Sequence, residues 1–564
     1  MPFGYSGVYV IHGRPGTGKT TRIARTVRRI LASAGRVPDK GWSPVVVVSL
    51  TKAAAEEAAG RQTGLPKGAI STLHSVGYRS LQRAETVGIR HIAAWNARYP
   101  AYAISPQQFL RTDRRDKDYD LDLSDVCDEL PGDEVFREYD LLRHRMVPRK
   151  GWPARVLEFA RRWDEWKRAR GIVDYTDMIE FGDAHPMDPG VIIADEAQDL
   201  SGLERNYLER LREAHDAALI LVGDNQQAIY TWRGADPKLL HDAGIPADHV
   251  DRLTQSYRLP AAVLRKATAW IAQLPGYQPA PFFPRRESPD DPDSPFVEGA
   301  VRRCDATWKW PEEAVDIADG LAREGKHVLL VTATNRMTQP MCAVLRERAI
   351  PYDNPWRRKE SLWNPLRSRA ADGARALLFP TGAPWTHGEV AAWTSPFREG
   401  GPLRPGAKEE IRLLSIRRNS RRLPVPQRSL KRWFDPAVLE PLLELIGRRR
   451  RDGGLAGEIL AAWLALMPAA KRRGRDYLIR VVAVRGADAL IEAPRVHPST
   501  IHACKGGEGD HVFLYPDLSR SAMHAWLDGG EGRDSIVRTF YVGITRARET
   551  LYLCEPAGRR FVEL

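Results

Sequence analysis

The sequence predicts an α/β protein built on parallel sheets, in two domains that each carry a mainly helical insertion. Three observations carry that expectation. Short apolar runs are continuous instead of alternating, helix-like stretches lie between several of them, and one long segment contains no comparable run.

The apolar segment Gly7–Ile11 reads as the first strand, and the run Thr21–Leu31 beyond a glycine-rich turn reads as a helix. Val45-Val46-Val47-Val48 and Val191-Ile192-Ile193-Ala194 suit strands covered on both faces, since such strands present no side to water. Ala218–Val222 and Val328–Val331 repeat the pattern. Ser75 to Pro189 is rich in Trp, Arg and Asp, with helical spacing in Arg155–Arg168, and reads as an inserted helical subdomain. The Pro-rich passage Gln278–Pro295 has the composition of a linker, and Phe296–Leu330 beyond it could found a second α/β domain. From Pro355 to Pro494 the chain is rich in Arg, Pro, Gly and Ala. Its basic clusters at Arg417-Arg418, Arg421-Arg422 and Arg448 to Arg451 fit a solvated face or a nucleic-acid patch equally. The expected division is 1–75 with 186–276 for the first domain and 76–185 for its insertion, then 277–356 with 495–564 for the second and 357–494 for its insertion.

The 564 residues leave room for about four compact units. An excess of 85 Lys and Arg over 72 Asp and Glu gives a net charge of +13, which suits a polyanionic partner or a generally basic surface. Five scattered cysteines with no CxxC pair indicate neither a zinc site nor a disulfide framework. No basic leader precedes the first motif and no apolar run is long enough to span a bilayer, so a cytoplasmic protein without a membrane partner is expected.

Gly13-Arg14-Pro15-Gly16-Thr17-Gly18-Lys19-Thr20 fits the phosphate-loop pattern GxxxxGK[ST] and lies between strand and helix, the context that pattern needs. Glycines at 13, 16 and 18 let backbone N–H groups face phosphate oxygens, Lys19 brings charge to the β- and γ-phosphates, and the Thr20 hydroxyl can ligate Mg²⁺, with Thr21 following in the first helical turn. Asp195 and Glu196 follow a strand directly. There Asp195 would hold Mg²⁺, and Glu196 would orient and deprotonate the attacking water. A GTPase, a transporter ATPase and a kinase-like enzyme all share these features.

The remaining motifs separate those classes. Asp195-Glu196-Ala197-Gln198-Asp199, the stretch VGDNQQAIYTWRGAD from Val222 to Asp236, and LTQSYR from Leu253 to Arg258 resemble, in this order, the superfamily 1 helicases of the UvrD/Rep/PcrA type. The resemblance continues in STIHACKGGEGDHVFL from Ser499 to Leu514 and RTFYVGITRARETLYL from Arg538 to Leu553, and so spans nearly the whole chain. It implies two RecA-like domains that clamp ATP between them. It further implies that Gln227 senses the γ-phosphate, that Arg258 and Arg546 reach it from the two domains, that Tyr257 stacks on adenine, and that Glu508 contacts the ribose or the Mg²⁺-linked water network. Gln198 and Asp199 would couple the ATP site to the DNA-facing motif.

Tyr230, Trp232 and Arg233 form an aromatic and cationic cluster of the kind that stacks on unpaired bases, and the resemblance makes Trp232 the stacking residue. It also implies that Thr51, Thr72 and His74 touch the DNA backbone from the first domain, with Thr500, His502 and Lys505 doing so from the second. The expected activity is a DNA-stimulated ATPase that translocates 3′ to 5′ on single-stranded DNA and unwinds duplex, acting at single-strand/duplex junctions as a monomer or weak oligomer. The alternative is a translocase subunit of a repair, phage or defence complex with little intrinsic unwinding. No glutamine precedes the phosphate loop where the family reads adenine, so the resemblance does not carry strictness for ATP. SLTKAAA stands where TFTNKAA is usual, so base stacking is expected to lean on Trp232. The chain ends soon after its last motif, so translocation is the firmer expectation than strand separation.

Overall fold

Where an apolar run is continuous, both faces of the strand are covered. Val45–Ser49, Val191–Ala194 and Ala218–Gly223 are buried at every position. The computed structural model describes residues 5–35, 38, 41–49, 64–66, 68–82, 84–106, 108–109, 130–357, 362–381, 385–417, 421–452, 455–472 and 475–564. The chain forms two compact units, Met1–Arg303 with Thr500–Leu564, and Cys304–Ser499.

The first unit opens with β1 (Val8–Gly13), α1 (Lys19–Ser33), β2 (Val45–Ser49), β3 (Ile70–Thr72) and α2 (Leu73–Ser80). The predicted insertion follows as α3 (Ile89–Arg98), α4 (Asp133–His144), α5 (Ala154–Arg168) and α6 (Tyr175–Glu180), joined by a minor strand pair, β4 (Glu85–Thr86) and β5 (Ile172–Val173). The chain then returns through β6 (Val191–Ala194), α7 (Gly202–Ala214), β7 (Ala218–Gly223), β8 (Val250–Leu253) and α8 (Ala261–Ile271).

The main sheet has the order β3-β2-β6-β7-β1-β8, with every pairing parallel. Alternate residues build two cores. On one face Val46, Ile192, Leu219 and Val10 meet Leu203, Tyr207, Leu208 and Leu211 of α7. On the other, Val45, Val47, Ile193 and Ile220 meet Ile23, Val27 and Ile30 of α1. Each fully buried aliphatic side chain contributes about 1.5–3 kcal/mol, which makes the sheet a rigid platform. The adjacent strands β6, β7 and β1 release their C-terminal ends side by side, and in an open parallel sheet that edge is where ligands bind.

The insertion has its own aromatic core, in which Trp95, Phe136, Tyr139, Phe159, Trp163 and Trp166 pack together. Beside it lies a buried charge cluster. Lys167 Nζ contacts Asp174 and Asp177 at 2.6 Å each, and Arg143 reaches Asp177 and Glu180 at 2.6 Å. Burial alone would raise the Asp174 carboxyl, but Lys167 and Arg143 outweigh it and hold it far below the ordinary range.

The Pro-rich passage Gln278–Pro295, expected to be a linker, is fixed to the strand-end segment before it. Phe283 N donates to Thr254 O at 2.8 Å, Ser256 N to Phe283 O at 2.9 Å, and Arg285 N to Leu259 O at 2.7 Å. Proline favours extended neighbours, and the residues between prolines keep the donors such pairing needs.

The unit also holds β9 (Ala300–Cys304), β10 (Gly509–Leu514) and β11 (Ala547–Cys554) in the order β10-β11-β9, with α9 (Arg520–Asp528) and α10 (Gly530–Ile544) between β10 and β11. The second unit contains strand Val328–Thr332 beside strand Val496–Thr500, flanked by helices Glu312–Arg323 and Asn335–Glu347. A run of helices from Arg369–Leu378 to Asp476–Arg485 makes up the rest. Parallel sheets covered by helices, interrupted by two helical segments, are the RecA-like helicase architecture that the sequence led us to expect. Among the described residues, no helix is long and apolar enough to cross a membrane.

Candidate functional site

The phosphate loop joins β1 to α1, whose N-cap is Gly18 in the left-handed region. Lys19 Nζ donates to Gly13 O at 2.7 Å, and the Thr17 hydroxyl donates to Arg14 O at 2.8 Å. Thr20 and Thr21 are half-buried in the first turn. Gly16 has φ +74°, and a methyl group there would lie 2.5 Å from Arg258 Cβ. That close approach lets Tyr257 N donate to Gly16 O at 2.7 Å and Ser256 Oγ donate to Pro15 O at 3.0 Å. The segment bearing Tyr257 and Arg258 is thereby fastened to the phosphate loop. The Tyr257 ring stands beside Gly18, 3.7 Å from where a Cβ would be, and is 52% exposed, so one face can receive a planar base.

Two strands away, β6 delivers Asp195 and Glu196. Glu196 adopts φ +56°, a left-handed conformation that costs a non-glycine residue about 1–2 kcal/mol and turns its side chain off the strand axis. Asp195 Oδ1 accepts from Glu196 N at 2.9 Å. Gln198 donates to the Glu196 carboxylate and accepts from Asp224 N at 2.9 Å, tying the carboxylate to the end of β7. Burial raises the Glu196 carboxyl, but Lys505, Lys19, Gln198 and Arg546 outweigh it and bring it to about 2. Asp195 and Thr20 offer the hard oxygen donors that Mg²⁺ prefers. Among the described residues no group of three or more His, Cys, Asp or Glu could hold a metal ion.

Residues from the last motifs converge on the same place. Arg546 is 1% exposed; its Nη2 donates to Gln227 Oε1 at 3.0 Å, its Nη1 to Gly507 O at 3.1 Å and its Nε to Val542 O at 2.9 Å. Burial, then Arg258 nearby, lowers its guanidinium to about 10, so it stays charged at neutral pH. Gln227 Nε2 donates to Asp224 Oδ2 at 2.8 Å, which leaves the amide held from both ends. Arg258 Nε donates to Glu508 Oε2 at 2.6 Å, and Arg548 Nη1 donates to Glu508 Oε1 at 2.8 Å. Both oxygens of Glu508 therefore face arginines.

The residues expected along the DNA divide into two groups. Trp232, 36% exposed, and half-buried Arg233 lie on a short turn, Thr231–Arg233, whose Tyr230 ring is buried against Lys505 at 5.0 Å. Thr72 caps α2, its hydroxyl accepting from Ser75 N at 3.2 Å. By contrast His74, Thr500, His502 and Lys505 all have buried side chains, which gives them no outward surface for a phosphate. Lys505 turns inward because two acceptors await it, Asp199 and Gln227 O, the latter at 2.7 Å. Burial pushes the Asp199 carboxyl up to about 6 even against Lys505. Burial likewise lowers His502 to about 4, so that ring carries no charge at neutral pH. Thr51 lies outside the described residues.

Several contributors were not singled out from the sequence. Asp224 and Ser256 sit inside quoted motifs, but nothing in their spacing marks them as anchors for Gln227 and the phosphate loop. Arg548 is one basic residue among many until it meets Glu508.

Residues 4–233 match the AAA domain family. The ATP-dependent DNA helicase UvrD2 of Mycobacterium tuberculosis is 24% identical to the chain, across 97% of this chain and 77% of that one. The ATP-dependent DNA helicase Rep of Escherichia coli is 36% identical over 86 residues, 15% of this chain and 13% of Rep. An ATP-dependent helicase/nuclease subunit of Staphylococcus haemolyticus is 26% identical over 22% of this chain and 12% of its own. Motif order, a parallel fold that gathers those motifs at one edge, and similarity along almost the entire length make the chain similar to the UvrD/Rep-like superfamily 1 helicases.

Proposed function

We propose that the chain is a DNA-stimulated ATPase that translocates 3′ to 5′ on single-stranded DNA and opens duplex at single-strand/duplex junctions. The observation that supports this most is the buried Arg546–Gln227 contact, which joins the last motif to the sheet edge carrying the phosphate loop and Glu196. In this reading the loop glycines Gly13, Gly16 and Gly18 with Lys19, Thr20 and Thr21 hold the triphosphate, and Tyr257 stacks on its base. Thr20 and Asp195 would hold Mg²⁺, which when bound neutralises charge on the β- and γ-phosphates. Glu196 aligns a water whose oxygen attacks the γ-phosphorus, the bond to the bridging oxygen breaks, ADP leaves, and the water's proton passes to the carboxylate. A carboxylate held at about 2 is a weak base, so alignment carries more of its effect than proton affinity. Arg258 and Arg546 stabilise the charge that develops on the transferring group, each through a side chain already held in place.

DNA is gripped through stacking on Trp232 with Arg233 and through the Thr72 turn. Lys505, Tyr230 and His502 transmit the state of the nucleotide site to that grip from inside the protein. Glu196→Gln tests the assignment. Turnover in saturating single-stranded DNA should fall about 10²- to 10⁴-fold while binding of that DNA persists, and undiminished turnover would remove Glu196 from the mechanism. Comparing duplexes with 3′ and 5′ tails reads the direction. A second reading, a translocase subunit with little unwinding of its own, is favoured by similarity to a protein whose name makes it part of a helicase/nuclease; inert tailed duplex beside strong DNA-stimulated turnover would select it.

A further inference from the structure

His144 belongs to the helical insertion and to no motif, yet it meets the motif segments directly. His144 ends α4, is buried, and its Nδ1 lies 2.9 Å from Ser201 Oγ. Ser201 is the N-cap of α7, immediately beyond the Asp195–Asp199 segment. Its hydroxyl accepts from Glu204 N at 3.2 Å, while Glu204 closes the box on Ser201 N at 3.0 Å. On the other side of the ring, Nε2 lies 3.4 Å from Thr176 Oγ1, and that hydroxyl donates to Asp140 at 2.5 Å.

Both ring nitrogens are engaged. Thr176 spends its proton on Asp140, so it accepts from His144 Nε2–H. The Ser201 hydroxyl accepts from Glu204 N–H and shares a hydrogen bond with His144 Nδ1. Asp140 Oδ2 lies 3.8 Å from Nε2, and the ring ties α4, α6 and α7 together. The same residue also supports the Trp232 turn. That turn ends on Gly234, at φ +89°, and a Cβ there would lie 2.9 Å from His144 Cβ and 3.5 Å from Leu141 Cδ1. Ala235 is paired with Ser201 and Asp236 N donates to Leu200 O at 3.1 Å, so the turn is hydrogen-bonded to the α7 cap.

We propose that His144 is a positioning residue through which the 76–185 insertion sets the Trp232 turn against the Asp195–Asp199 segment, coupling DNA engagement to ATP turnover. The proposal rests on the translocase reading above. It acts through geometry, by way of the Ser201 cap and the Gly234 turn.

The test compares wild type with His144→Ala and His144→Asn, the latter keeping a hydrogen-bonding group near the Nδ1 position for Ser201. ATP turnover is measured without DNA and across a titration of oligo-dT, with circular dichroism as a check on folding. His144→Ala should raise the oligo-dT concentration for half-maximal stimulation about tenfold, leave DNA-free turnover and KM for ATP unchanged, and be largely rescued in His144→Asn. Ser201→Ala, which removes the same link from the other side, should give the same pattern and keeps the test decisive if His144→Ala does not fold. Equal losses with and without DNA at unchanged half-saturation, or no effect, would overturn the proposal. A wild-type chain whose turnover oligo-dT does not raise would refute the translocase reading itself, and this inference with it.

Discussion

Lys505 is the side chain whose removal separates an internal coupling role from a DNA contact. Its ammonium and the Asp199 carboxylate are 7% and 3% exposed, and it also donates to Gln227 O, so Lys505→Met strips a buried carboxylate of its partner and a buried carbonyl of its donor. Breaking a buried pair from one side costs about 3–5 kcal/mol where the remaining charge must stay ionised. Asp199 has an escape, because in the fold it is already raised to about 6, and losing Lys505 raises it further. A raised carboxyl stabilises the fold in its proton-bound form below the unfolded value near ~4, and that contribution is lost as pH rises through the folded value. The variant should therefore approach wild-type thermal stability at pH 5.5 and fall behind it by pH 8. DNA-stimulated turnover should drop about tenfold or more at pH 7.5, because Gln227 and the Glu196 charge balance both change. Thermal melts across pH, ATP turnover and oligo-dT binding by fluorescence anisotropy read the three effects. If oligo-dT binding weakens while turnover at saturating DNA and the pH profile of melting stay as in wild type, Lys505 is a DNA contact and the internal bridge is irrelevant.

Three further outcomes follow from particular contacts. Gly16→Ala places a methyl 2.5 Å from Arg258 Cβ at a positive φ, so KM for ATP should rise at least about tenfold with the far-ultraviolet spectrum unchanged; an unaltered KM would show that the loop tolerates separation from the Tyr257 segment. Trp232→Ala removes a half-exposed stacking surface worth ~1–3 kcal/mol, which is about 5- to 150-fold in affinity for oligo-dT of any base composition. Equal affinity in anisotropy titrations would place the base elsewhere. Lys167→Met leaves Asp174 and Asp177 buried beside Arg143 alone and should destabilise the insertion by about 3–5 kcal/mol in denaturant melts, whereas the surface pair Arg161–Glu165 should be nearly silent when broken.

The sequence by itself determined the parallel sheet and the position of the phosphate loop, because both depend on local order. A strand covered on both faces must be apolar at successive positions, and Gly13–Thr20, Asp195-Glu196 and the Gln227 segment lie at or just beyond the ends of such strands. It also marked the insertion, whose helical spacing in Arg155–Arg168 became α5. Only the tertiary structure decided which way the remaining side chains face. Thr500, His502 and Lys505 belong to a motif that resemblance assigns to DNA, yet they are buried, and Lys505 finds Asp199 some 300 residues earlier in the chain. His144 stands in no motif at all and acquires its contacts because α4 packs against the α7 cap and the Gly234 turn. Periodicity reports whether a position is covered, but it holds no record of which distant group covers it. The partner, the burial and hence the charge state of a polar side chain are set by packing between segments that the sequence keeps far apart.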